Sequence, residues 1–128
     1  MLPFSVIFKP GLSVHEQVVF AVKKACVAGQ LRPGDAFPSV RSLSQELRIN
    51  PNTAHKVVGT LVAEGLLEVR PGIGTMVSRA PAATRGQRRS LLHEETERLV
   101  VEARKLSLDL QEVLDAVSEQ WTRLDPRP

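Results

Sequence analysis

The sequence predicts a mostly α-helical protein with one small β-hairpin. Three observations carry that prediction. Two short apolar stripes of helical period, each with its own N-cap residue, lie between residues 39 and 65. A Pro/Gly-rich tip at 70–74 sits between short apolar runs. Two further amphipathic stripes follow residue 90.

Taken in chain order, the opening MLPFSVIF alternates loosely through Phe4, Val6 and Phe8 and reads as a short strand or an arm over the core. A first helix is expected over 13–28. Ser13 with Glu16 three residues on is a capping-box pattern; Val14, Val18, Ala21, Val22 and Ala25 face inward, and Gly29 closes the helix. Cys26 falls among Val22, Ala25 and Val27 and reads as a small buried hydrophobe. A single cysteine excludes an internal disulfide.

After a tight Pro33-Gly34 turn, Ser39 opens a short helix whose inner stripe is Val40, Leu43 and Leu47. Arg41 stands in its first turn, where a cation opposes the helix dipole by a few tenths of a kcal/mol. A nearby phosphate would reverse that penalty; alone, Arg41 reads equally as a solvated surface residue. A four-residue turn leads to a second helix, capped by Asn50 with Pro51 at its first position. Ala54, Val57, Val58, Leu61 and Val62 form its apolar stripe. Asn52, Lys56, Gly59 and Ala63 lie opposite, Thr53 and His55 flank them, and Gly65 stops the helix. Its exposed early turns thus carry amide, hydroxyl, imidazole and ammonium groups, which can bond base edges and phosphates.

The hairpin runs through Leu66, Leu67 and Val69 to Thr75, Met76 and Val77, with Arg70 leading into a tip that holds Pro71, Gly72 and Gly74. It reads as a wing touching DNA, the alternative being a plain surface hairpin. Helix, turn, helix, hairpin is the order of a winged helix-turn-helix, whose second helix enters the major groove. Residues 79–90, short of large apolar side chains and rich in arginine, read as a linker. Beyond it, Leu91, Leu92, Leu99, Val100, Ala103 and Leu106 form one stripe. Asp109 with Glu112 signals a second cap, before Leu110, Val113, Leu114, Val117, Trp121 and Leu124. Two such helices cannot bury both stripes against each other, and a symmetric copy is the simplest cover. The alternative is that they fold back on the winged domain. The expected organisation is a winged domain over 1–78, a linker over 79–90 and a two-helix dimerisation segment over 91–125. Leu92, Leu99, Val100, Leu106, Leu110, Val113, Leu114, Val117 and Trp121 are its contact residues.

The run Pro33-Gly34-Asp35 … Pro38-Ser39-Val40-Arg41-Ser42-Leu43 resembles the GntR-family signature P-G-D-x-L-P-S-x-R-x-L. Asn50-Pro51-Asn52-Thr53 with Leu61-Val62-Ala63-Glu64-Gly65-Leu66 is similar to its small YtrA-like subfamily. The resemblance implies a bacterial transcription regulator, read here as a repressor, that binds operator DNA as a homodimer. Arg41, Asn50, Asn52, Thr53, His55, Lys56, Arg70 and Gly72 match positions that touch DNA in the family. Three departures stand out. Arg48 occupies a turn position where relatives often have Gly, Val58 and Gly59 replace Tyr and a charged residue, and Phe37 replaces Leu.

Charge is distributed in the same sense. Residues 1–80 hold nine Lys/Arg against five Asp/Glu, while residues 81–128 hold eight against nine. The positive balance therefore belongs to the part with the DNA-reading pattern. No apolar run approaches a membrane span, and the N-terminus has no basic stretch or small-residue cleavage site, so a cytoplasmic protein without membrane contact is expected. No phosphate-binding or nucleophile motif appears, and no catalytic residue is assigned. His93 and Glu97 share a helix face but are too few to hold a metal. No cofactor is expected; a small-molecule effector, if one exists, would sit at the dimer interface or between it and the winged domain. The competing function is a winged-helix adaptor that binds proteins. An adaptor would expose apolar anchors on the second helix, where this chain has Asn52, Thr53, His55 and Lys56.

Overall fold

A computed structural model describes residues 2–79 and 83–125, which fall into two compact units divided near residue 81. In the first unit, α1 (Val14–Val27), α2 (Val40–Leu47) and α3 (Pro51–Ala63) precede an antiparallel pair, β1 (Leu67–Arg70) and β2 (Gly74–Val77). The register pairs Leu67 with Val77 and Arg70 with Gly74, so Arg70 flanks the tip.

The core forms where α3 packs on α1, α2 and β1. Val18 and Val22 from α1, Leu43 from α2, Ala54, Val57 and Leu61 from α3, and Leu67 from β1 are its buried centre. Two expected inward residues differ. Val14 is exposed, in the first turn of α1, and Val19 is buried in its stead; Val62 is at the exposed margin of the α3 stripe. The N-terminal segment is an arm, not a strand. Phe4 is buried and stacks on Phe37 with ring centroids 6.0 Å apart, whereas Phe8 is exposed. Phe37, a departure from the family pattern, thus has a partner for its larger ring. Burial raises the Cys26 thiol above its ordinary pKa, as suits a packing residue.

The caps explain why these segments are helices. The Ser13 hydroxyl accepts from the Glu16 N–H, Ser39 from the Ser42 N–H and the Asn50 side chain from the Asn52 N–H. At the end of α3, Leu66 N–H donates to the Leu61 carbonyl and Gly65 N–H to that of Val62, with Gly65 at φ 81°.

The Pro33-Gly34-Asp35 signature is a turn with a definite mechanism. Asp35 N–H bonds the Arg32 carbonyl at 3.0 Å, with Pro33 second and Gly34 third at φ 89°. The Asp35 carboxylate then accepts from the Arg32 N–H at 2.8 Å. A side chain at Gly34 would also meet the Arg79 guanidinium at 3.1 Å. Beyond this turn the chain lies along the free edge of β2. Gly34 N–H donates to the Val77 carbonyl, Val77 N–H to that of Asp35, and Phe37 N–H to that of Thr75. The sequence pattern does not predict this third strand-like segment.

The second unit holds α4 (Arg85–Arg89), a π-helical turn (Ser90–Glu95), α5 (Thr96–Lys105) and α6 (Leu110–Arg123). The expectation of a linker over 79–90 is corrected by this helix. Residues 80–82 lie outside the described ones, and helix begins at Arg85, because Thr84 and Gln87 cap it reciprocally at 2.8 and 3.1 Å. Asp109 and Glu112 form the same box on α6, as expected. Between α5 and α6, Ser107 adopts φ 61° while Leu108 N–H bonds the Ala103 carbonyl. Beside this elbow Ala103 is buried and Val113 half-buried.

Candidate nucleic-acid interface

The turn between α2 and α3 sets where α3 begins. Arg48 caps α2 in the left-handed region at φ 55°. Ile49 N–H bonds the Ser44 carbonyl at 3.1 Å, and the buried Ser44 hydroxyl donates to the Ile49 carbonyl at 2.8 Å. Asn50 then starts α3.

Asn52, Lys56, Gly59 and Ala63 are all exposed and share one face, opposite buried Ala54, Val57, Val58 and Leu61. His55 is exposed and Thr53 half-buried at the margins. Asn50 is the N-cap of α3. Its Oδ1 is held by the Asn52 N–H at 2.7 Å, so only its amide NH2 is left for an outside acceptor. On the flank of α3, His15 Nε2 and the Thr60 hydroxyl are 2.8 Å apart, and Lys23 bridges to Glu64 at 3.0 Å. Both contacts tie α1 to α3 and its C-cap.

Arg41 is exposed in the first turn of α2. Neither α2 nor α3 has an acidic residue in its first turn, in contrast to Glu16 of α1 and Glu112 of α6. The positive ends of both helix dipoles are therefore uncompensated by carboxylates, which suits them to phosphate. Residue-by-residue matching overlooks this feature, although the absence of Asp and Glu at 40–42 and 51–53 is visible in the sequence.

At the wing, Ile73 N–H bonds the Arg70 carbonyl at 3.0 Å, with Pro71 second and Gly72 third at φ 79°. That is a type II turn, and it needs Gly72 for its conformation as well as for close approach. Arg70 is not a free cation: its Nη2 lies 3.4 Å from Glu68 Oε1, both side chains being partly exposed. Such a pair contributes little to stability.

The expected dimerisation residues sit on the second unit. Leu92, Leu99, Val100, Leu106, Leu110, Leu114, Val117 and Trp121 are exposed, and Val113 is half-buried. Among the described residues no helix is long and apolar enough to cross a membrane.

The family model for bacterial regulatory proteins of the gntR family matches residues 14–77, the stretch from α1 to the end of β2. The chain is 30% identical over 107 residues to the HTH-type transcriptional repressor YtrA of Bacillus subtilis (strain 168), covering 83% of this chain and 82% of that protein. The crystal structure of a transcriptional antiterminator from Listeria monocytogenes EGD-e superposes with a TM-score of 0.83 at 20% identity, over 94% of this chain and 91% of that one. The crystal structure of AraR(DBD) in complex with operator ORX1 matches with a TM-score of 0.50 at 29% identity, over 58% of this chain and 95% of that one.

Proposed function

Because the chain belongs to the GntR family of bacterial regulatory proteins and is a DNA-binding transcriptional regulator, we propose that it is a repressor that binds a palindromic operator as a homodimer. The exposed face of α3 carries this reading: it is polar at its N-terminal turns and begins at a helix end without carboxylates. Asn52, Thr53 and His55 read base edges in the major groove, while Lys56 reaches an edge or a phosphate. Arg41 and the Asn50 amide hold phosphates beside them, and Arg70 leaves Glu68 for the backbone or minor groove, where Gly72 lets the wing tip come close. The operator complex of AraR(DBD) supports this docking by likeness alone.

The unburied faces of α5 and α6 support the dimer, since apolar surface this extensive calls for a partner. A protein working on chromosomal DNA in this way is cytoplasmic and needs neither cofactor nor catalytic group. The test is a fluorescence-anisotropy titration with duplexes from upstream of its own gene. One duplex is expected to bind at least about a thousandfold more tightly than its scrambled version. Equal affinity for both would favour the protein-binding adaptor.

A further inference from the structure

On the reading that the second unit dimerises, we infer that α6 pairs with α6 of a second copy in antiparallel register, and that Trp121 of each copy fills the elbow cleft of the other.

The apolar residues of α6 fall at Leu110, Leu114, Val117 and Trp121, spaced four, three and four apart. That is a heptad seam, and its spacing is the same read backwards. A two-fold axis between Leu114 and Val117 therefore sets Leu110 against Trp121 and Leu114 against Val117, twice over. In parallel each seam residue would meet its own copy, which sets the two bulky Trp121 rings against each other.

The charges obey the same arrangement. All four charged residues of α6, Glu112, Asp115, Glu119 and Arg123, lie on the face opposite the seam. The seam is flanked by uncharged Gln111, Val113, Ser118 and Gln120. With the charged residues kept off the seam, an antiparallel pair sets the positive N-terminal end of each α6 beside the negative C-terminal end of the other.

The elbow supplies the receiving site. Val100, Ala103, Leu108, Leu110 and Val113 form the apolar part of a cleft of about 510 Å³, with Arg104, Ser107 and Asp109 also lining it. Leu110, the seam partner of Trp121, is one of its walls. The chain's own Trp121 cannot fill it, being eleven residues along the helix, about 16 Å away at 1.5 Å per residue. Trp121 is 79% exposed in the single chain, which leaves its indole to a second copy.

Trp121 is the sole tryptophan, so intrinsic fluorescence of the full-length protein reads this contact directly. At concentrations where sedimentation shows a dimer, its emission should be blue-shifted and should move red on dilution into monomer. Trp121→Ala should raise the dimer dissociation constant by at least about a hundredfold, since the contact is made twice. In a Cys26→Ser background, Gln111→Cys and Ser118→Cys proteins, mixed and treated with a short bismaleimide, should give a crosslinked heterodimer. A dimer with solvent-exposed Trp121 emission and no such crosslink overturns the register and leaves the dimer reading standing. A monomer at micromolar concentration overturns both.

Discussion

At the residue scale, Arg48 shows how one backbone angle carries information. It caps α2 at φ 55°, a conformation that costs a non-glycine residue about 1–2 kcal/mol. Arg48→Gly should stabilise the winged unit by about 0.5–1 kcal/mol, less than the full strain because glycine loses more freedom on folding. Urea denaturation checks this, and an unchanged midpoint would mean that the turn holds Arg48 without strain. The family pattern makes the strain legible, because relatives often carry Gly there. The Arg70–Glu68 ion pair is legible too: residues two apart on a strand share a face. Arg70→Ala should lower the magnitude of the log–log salt slope of DNA binding by about 0.9 for each phosphate that the guanidinium neutralises. Specific and scrambled duplexes should weaken alike; an unaltered slope at several salt concentrations would show that Arg70 stays with Glu68 and never reaches a phosphate.

Elements are most legible where a cap and a stripe coincide. Asn50, Pro51 and the Ala54-to-Leu61 stripe mark α3 with its closing Gly65, and the structure reproduces it. Val62 and Val14 differ because a stripe defines its centre better than its margins. Thr84-x-x-Gln87 is a capping box in plain view, yet the arginines and glycine around it disguise it as linker. The π-helical turn over Ser90–Glu95 leaves no periodic signal; it is accompanied by the local bond from the Thr96 hydroxyl to the Leu91 carbonyl. The edge segment 34–37 is hidden as well, since its pairing with β2 is long-range. For α3, the Ser44 hydroxyl is a side-chain tie between α2 and the turn that leads into it. Ser44→Ala should cost about 1–2 kcal/mol of stability and loosen α3 at its start. Amide exchange at Ile49 and Asn50 would report the loosening; protection equal to wild type would assign the turn to backbone bonds alone.

For the whole molecule, the two units differ in charge and in burial. The unit through residue 79 has its own core and carries the excess of basic residues; the unit from residue 83 buries little and exposes Leu99, Leu110, Leu114 and Trp121. The exposed polar positions of α3 proposed to face DNA can be read in the sequence, because polar groups opposite a buried stripe must lie on the open face of their helix. The elbow cleft cannot, since it depends on how α5 and α6 diverge. Whether α3 reads sequence, and does not merely adhere to DNA, decides the function. The most direct measurement is an anisotropy titration of wild type and Asn52→Ala against the specific duplex and its scrambled version at one salt concentration. Base reading predicts a loss of about 1–3 kcal/mol on the specific duplex and little change on the scrambled one. Equal weakening on both would contradict base reading by the exposed face of α3.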